Sequence, residues 1–289
     1  MIGSMAAQFS ILILFSLILS ANAYGTTVPM CEGLFHPVRV AAVLPAIAEV
    51  SPEIAHELSR PPDDAKTGFV TDIVPITAEN LFAGYSRGVF PWQTTDAGNG
   101  AWFAPPQRGV LFLNEIEIGR SDRKLLRPLE EAVARGELRI THDTAFSEVI
   151  RECQSMKRFR RDPVTRQLST ELGTWITPQI LEAYEALHKV GRAHSIEIWR
   201  GDRLVAGSYG TFVNGVFSGE SMFHKEDNVA KLLFVYQLED LKAKGLTWVD
   251  TQVAIPGSGS LAVKWGAREV PRDQYLMLLR QSQNANVPW

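Results

Sequence analysis

HSIEIWRGDRLVAGSYGTFVNGVFSGESMF (residues 194–223) is the stretch whose reading decides the fold. It divides into three strand-type runs, 195–199, 204–213 and 216–222, each rich in β-branched or aromatic residues. Gly201-Asp202 and Asn214-Gly215 separate them, and an Asn-Gly pair between apolar runs is a strong two-residue hairpin signal. An antiparallel meander therefore stands at the centre of the C-terminal half.

Outward from it, Thr177-Pro178 reads as a helix start with Pro at the first position, and Gly191 as that helix's end. A long helix fits 228–244 before a strand at 247–253, and a last helix fits 271–279. Upstream, a helix is expected at 77–87 with Thr77 as cap and Gly88 as stop. The aromatic, Pro-rich pieces Phe90-Pro-Trp92 and Trp102-Phe-Ala-Pro-Pro106 read as turns, and 110–118 as a strand. Helices are expected at 121–135, opened by Ser121, and from a capping Asp143 to about 154, with a strand at 138–141. This order predicts an α/β (α+β) chain. Residues 24–66 are weakly patterned.

The 289 residues carry 45% hydrophobic and 21% charged side chains, as an ordinary globular protein does. A formal charge of -3 supplies no global field for nucleic acid, so any such partner needs a local basic patch. Two distant cysteines, Cys31 and Cys153, form neither a metal knuckle nor a disulfide framework. The apolar run 11–19 followed by Ala21-Asn-Ala23 has the outline of a signal peptide over 1–23. The first basic residue is only Arg39, so an over-extended translation start, with Met30 as one alternative, is the rival reading.

Chemistry-bearing residues begin with Glu220, a carboxylate at the end of an apolar strand, where such a group is partnered, functional or simply turned to solvent. Asp250 and Gln252 share one strand face with Trp248. That pair could orient an amine and relay its proton, or form the wet face of an edge strand. Phe90, Trp92, Trp102 and Trp175 could line a pocket or simply be core. Lys157, Arg158, Arg160, Arg161 and Arg166 place five cations within ten residues, able to grip phosphates or to form a solvated loop. Arg120, Arg123, Lys124 and Arg127 add a second basic stretch. Metal-ligand spacings, Walker loops, GxGxxG and GxSxG motifs are absent, as is the phosphate loop of acetyl-CoA enzymes.

AGYSRGVFPW (83–92), WFAPPQR (102–108), GTWIT (173–177), Ala183-Tyr184 with Leu187-His188, AHSIE (193–197), FSGESMF (217–223) and DTQ (250–252) follow one another in that order. Together they resemble the leucyl/phenylalanyl-tRNA–protein transferases. The resemblance implies a small N-terminal domain over 67–135 and an acetyltransferase-like (GNAT-type) C-terminal catalytic domain over 136–289. It also implies a cytoplasmic, monomeric enzyme working without metal or soluble cofactor. It implies transfer of Leu or Phe from aminoacyl-tRNA to acceptor proteins beginning with Lys or Arg, a tag for degradation. By position, Asp250 and Gln252 match the pair that handles the attacking amine, and Glu220 matches the carboxylate beside the aminoacyl-adenosine. Trp92, Trp175 and Phe217 match aromatic walls, with Phe90, Ser221 and Met222 as further substrate contacts. Lys157, Arg158, Arg160, Arg161, Arg120 and Lys124 are the expected tRNA contacts. The chain departs from the family pattern at 68–76, at Ala230, at 254–261 and in an insertion between Cys153 and Gly173. A diverged, exported peptide or amino-acid binder of the same fold is the alternative function. An acetyl-CoA-dependent transferase fits the same fold but lacks that phosphate loop.

Overall fold

The computed structural model describes residues 46–63, 66–94, 99–156, 158–161, 168–171, 174–255, 259–285 and 287–289. Residues 1–23, the candidate signal segment, lie outside them, as do most of the residues expected to be weakly patterned. Val43–Trp289 forms one compact unit.

The chain opens with α1 (Pro52–Glu57), β1 (Phe69–Thr71), α2 (Ala78–Ser86), β2 (Phe90–Thr94), β3 (Gly100–Phe103) and β4 (Gln107–Phe112). It continues through α3 (Arg120–Ala134), β5 (Arg139–His142), α4 (Phe146–Ser155), β6 (Arg158–Arg161), β7 (Leu168–Glu171) and α5 (Pro178–Lys189). The central strands β8 (Ala193–Arg200), β9 (Arg203–Val213) and β10 (Val216–His224) come next. Last are α6 (Val229–Ala243), β11 (Trp248–Gln252), α7 (Leu261–Lys264), β12 (Arg268–Pro271) and α8 (Arg272–Ala285). A seven-stranded sheet in the order β12-β4-β11-β10-β9-β8-β5 carries the molecule, beside a three-stranded sheet β1-β3-β2 and the pair β6-β7.

Local chemistry sets these elements. Asn214 and Gly215 both take positive φ, 50° and 81°, so a two-residue turn pairs Val213 directly with Val216. Thr77 accepts a hydrogen bond from the Asn80 N–H, and Thr177 from that of Ile180, capping α2 and α5 as their sequences predict. One face of the large sheet packs Phe212, Phe217 and Val249 against Leu232, Leu233 and Leu238 of α6 and Leu126 of α3. The other packs Tyr209, Val213 and Phe223 against Leu81 and Tyr85 of α2, Val149 and Ile150 of α4 and Tyr184 of α5.

Two expectations are revised. Phe90-Pro-Trp92 and Trp102-Phe103 are strands rather than turns. Pro91 is tolerated because β2 is an edge strand, where a missing ladder donor costs little. Asp143 does not cap α4, whose cap position is Ala145; Asp143 sits at φ 56° and instead holds the Ser195 N–H and His194 Nδ1 at 2.8 Å each. In the large sheet β4, which precedes residue 136, lies between β12 and β11.

Close packing at the meander gives a direct test. A Cβ on Gly210 would lie 2.4 Å from both the Phe217 ring and the Ser218 carbonyl oxygen, and a backbone atom cannot swing away. Gly210→Ala is expected to lower unfolding free energy by about 1–3 kcal/mol in urea titration, with an unchanged m-value.

Candidate active site

Glu220 owes its position to a β-bulge. The β10 ladder with β9 shifts between Gly219 and Ser221, leaving Glu220 as the extra residue. On its other side β10 pairs in parallel with β11 only at Phe217↔Val249 and Ser218↔Asp250. Where that ladder stops, side chains rather than backbone bridge the two strands: Gln252 Nε2 donates to Glu220 Oε2 at 2.9 Å. Tyr85 donates its hydroxyl proton to Glu220 Oε1 at 2.5 Å, so the 2.8 Å contact between Tyr85 and Tyr184 has Tyr184 as donor. The result is a directed chain, Tyr184 to Tyr85 to Glu220.

Glu220 is half-buried by surface area yet crowded by protein atoms. Burial pushes its carboxyl up from 4.5 to about 7, against the pull of the Tyr85 and Gln252 hydrogen bonds and aided by the Asp250 charge. Burial, reinforced by the Glu220 charge, likewise holds the Tyr85 and Tyr184 hydroxyls above their ordinary range, so both remain proton donors at neutral pH.

Asp250 lies beneath this carboxylate, with no exposed surface. Arg108 grips it with both prongs, Nε to Oδ1 at 2.9 Å and NH2 to Oδ2 at 2.6 Å. Ser218 Oγ and Tyr275 OH donate to Oδ2 at 3.1 and 3.0 Å, and the Gln252 N–H donates to Oδ1 at 2.8 Å. Arg108 is sandwiched between the rings of Phe90 and Tyr275, 4.4 and 4.6 Å from their centroids. Burial alone would lower its pKa, but the Asp250 carboxylate overrides that and raises it. With five donors on two oxygens, Asp250 is saturated. Its reach toward the surface runs through Gln252, held at φ 61° where β11 slips against β4.

Asp250, Gln252 and Glu220 are thus brought together, on a central strand and its neighbour rather than on a wet edge. Ser221 stands opposite Tyr209, a residue of the Glu220 side of the sheet. Phe217 and Met222 pack into the cluster on the opposite face, where Phe217 stacks on Trp289. Trp92 is 42% exposed and Trp175 half-buried against Tyr184, while Phe90 and Trp102 are core. Arg120 and Lys124 lie exposed on α3. Lys157 and Arg166 lie outside the described residues, and for Arg158, Arg160 and Arg161 the description covers only the backbone of β6, paired with β7. Among the described residues no group of His, Cys, Asp and Glu is arranged to hold a metal.

Sequence reasoning assigned no role to Tyr85, Tyr184, Arg108 or Tyr275. Tyr85, Tyr184 and Arg108 stand inside the family-like motifs, and a tyrosine on an apolar helix face was the available signal. Replacing Arg108 removes the counter-ion of a fully buried carboxylate. Arg108→Met is expected to cost about 3–5 kcal/mol in denaturant unfolding, and Asp250→Asn in the Arg108→Met background to recover part of it.

A family model described as leucyl/phenylalanyl-tRNA protein transferase matches residues 110–280. The enzyme of that name from Flavobacterium psychrophilum is 34% identical over 230 residues, 79% of this chain and 99% of its own. That from Syntrophotalea carbinolica is 38% identical over 237 residues, 81% of this chain and 92% of its own. That from Chromobacterium violaceum is 34% identical over 233 residues, 81% and 88% of the two chains. With an identity of this level sustained over four-fifths of its length, across the same strands that assemble Glu220, Asp250 and Gln252, the chain belongs to the leucyl/phenylalanyl-tRNA–protein transferase family.

Proposed function

We propose that this protein transfers Leu or Phe from aminoacyl-tRNA to the amino terminus of acceptor proteins that begin with Lys or Arg. The observation that carries the chemistry is Glu220, a half-buried carboxyl poised near neutrality and oriented by Tyr85 and Gln252. An α-ammonium group with an ordinary pKa of about 7.7–8.0 must lose a proton before it can attack. A carboxylate of pKa about 7 is well matched to accept it. Glu220 passes that first proton to solvent, takes a second from the nitrogen as the free amine adds to the ester carbonyl, and returns it to the ribose oxygen as the C–O bond breaks and the peptide bond is left. The ester is already activated, so positioning and proton transfer supply the rate without a metal or soluble cofactor.

In this reading Asp250 is a positioning residue. Its bond to the Gln252 N–H fixes the left-handed backbone from which the Gln252 amide reaches Glu220. Trp92 and Trp175, exposed and half-exposed, serve as walls for the aminoacyl-adenosine, and Ser221 borders the same side. Arg120 and Lys124 offer charge to the tRNA body, joined by the basic run at Lys157, Arg158, Arg160 and Arg161. An acetyltransferase-like (GNAT-type) architecture is supported by the β8-β9-β10 meander, the α6 crossover and a parallel β10/β11 ladder that stops at the site. Charged tRNA is a cytoplasmic substrate, so this reading expects a cytoplasmic enzyme, and the family resemblance expects a monomer. Among the described residues no helix is long and apolar enough to cross a membrane. The exported, non-catalytic alternative is disfavoured by the enzymatic name the relatives share.

The direct test incubates purified protein with Leu- or Phe-tRNA and a peptide beginning with Lys or Arg. A folded preparation that transfers neither amino acid overturns the reading. For wild type, kcat/KM is expected to rise with pH and level off above about 7, as Glu220 loses its proton. In Glu220→Gln, kcat is expected to fall by about 10²–10⁴-fold, and that inflection to vanish from the pH profile. Stability should follow the opposite sign. A carboxyl whose pKa rises on folding is most favourable below about 4.5, and its contribution is lost as pH rises through about 7. The drop in Tm between pH 5 and pH 8 is therefore expected to be smaller in Glu220→Gln than in wild type.

A further inference from the structure

A second polar cluster lies away from Glu220, in a cavity of about 270 Å³ between the ends of α1 and α2 and the side of α8. Arg60, Arg87, Arg272 and Arg280 all line it, together with Ser59 and Gln283. Arg60 is neutralised by Glu57 and Asp63, both at 3.1 Å. Arg87 turns Nε to Ser59 Oγ at 3.2 Å and NH1 to the Ala83 carbonyl at 2.9 Å, so its partners are polar and no described acidic side chain pairs with it. Arg280 is exposed, and no described acidic side chain pairs with it or with Arg272. Arg272 is pinned by its backbone N–H to the Pro106 carbonyl at 3.0 Å, yet its Nε is sealed from solvent without an acceptor. Burial and the nearby Arg108 charge both press its pKa down. Asp273 lies beside the adjoining cavity of about 360 Å³, which Arg272 also borders.

Four guanidinium groups from three segments, against two carboxylates paired with them among the described residues, leave the cavity with an excess of positive charge. Their forked donors match a tetrahedral oxyanion, and a chain of net charge -3 must hold any phosphate through such a local patch. We propose that this cavity is a phosphate-binding site, occupied during the reaction by a backbone phosphate of the tRNA strand. The assignment of source rests on the proposed transferase reading; the site itself does not. Helix α2 links the two places, since Tyr85 reaches Glu220 while Arg87, two residues on, faces the cavity. Tyr85 is in the last turn of α2 and Arg87 is its C-cap, so one helix end borders both places.

The test uses the full chain and needs no turnover. Affinity for deacylated tRNA is measured by filter binding at several salt concentrations for wild type, Arg272→Gln and Arg280→Gln, and inorganic phosphate is titrated into each by calorimetry. Loss of the Arg272 contact is expected to weaken tRNA about tenfold. It should also flatten the slope of log K against log salt by about 1, and abolish phosphate binding. Loss of phosphate binding with tRNA affinity unchanged keeps the site and assigns it to a free phosphorylated compound. Unchanged tRNA affinity, salt slope and phosphate binding in both variants overturn the proposal. Arg280 is solvent-exposed, so its variant reads the site even where Arg272→Gln unfolds. Failure of the transferase reading shows separately, as absence of Leu or Phe transfer by the wild-type protein.

Discussion

The buried pair of Arg108 and Asp250 is the contact on which the rest of the site depends. Arg108 comes from β4 and Asp250 from β11. Ser218 of β10 and Tyr275 of α8 complete the carboxylate's donors, and the Gly88 carbonyl after α2 receives Arg108 NH1 at 3.3 Å. Taking two charges out of water costs several kcal/mol per ion, which their attraction offsets only with near-ideal geometry and every lone pair satisfied. Here the geometry is bidentate and five donors meet two oxygens, so both conditions hold. A packed apolar pair could serve stability as well. What it could not do is accept the Gln252 N–H and hold that residue in a left-handed turn.

Asp250 and Glu220 are adjacent carboxylates with unlike environments, and the environments assign their roles. Asp250 is fully buried but surrounded by donors, one of them a cation. Glu220 keeps a solvent path, has neutral donors (Tyr85, Gln252 and Tyr184) among the described residues, and feels the Asp250 charge. Burial then dominates and its carboxyl moves to about 7. The carboxyl moved to near neutrality suits an exchanger of protons, while the one held by Arg108, Ser218, Tyr275 and the Gln252 N–H suits a scaffold. Under the proposed function, proton handling, expected of Asp250 and Gln252 from the sequence, is assigned to Glu220, with the other two as its scaffold.

The meander was legible because its signals are local. Asn214-Gly215 specifies a turn by backbone conformation alone, and Thr77 and Thr177 cap helices within three residues of themselves. The site was legible only as a set of residue types at matching positions. Its geometry depends on two register shifts, at Glu220 and at Gln252, and a bulge is a property of a strand pair rather than of either strand. Strict alternation put Trp248, Asp250 and Gln252 on one face, and the slip at Gln252 is what that rule cannot see. Tyr85 and Glu220 lie 135 residues apart, so no window on the sequence contains their hydrogen bond. Phe217 matched an aromatic-wall position by sequence, yet its strand parity buries it against Trp289 on the far face.

Both irregularities occur where the parallel β10/β11 ladder ends, and this explains why a site exists there at all. Regular pairing would have turned Glu220 and Gln252 into the ladder, satisfied their backbones and closed the gap. A bulge in one strand and a positive φ in its neighbour each cost on the order of 1 kcal/mol or more. Such strain persists only where surrounding contacts over-determine it. Arg108, Tyr275 and Ser218 supply those contacts through Asp250, and Tyr85 and Tyr184 through Glu220. The helix that presents Tyr85 also ends in Arg87, so the element that orients the reacting carboxylate borders the cavity rich in arginine. A substrate that filled both places would be held at its reacting end and along its strand by one rigid helix.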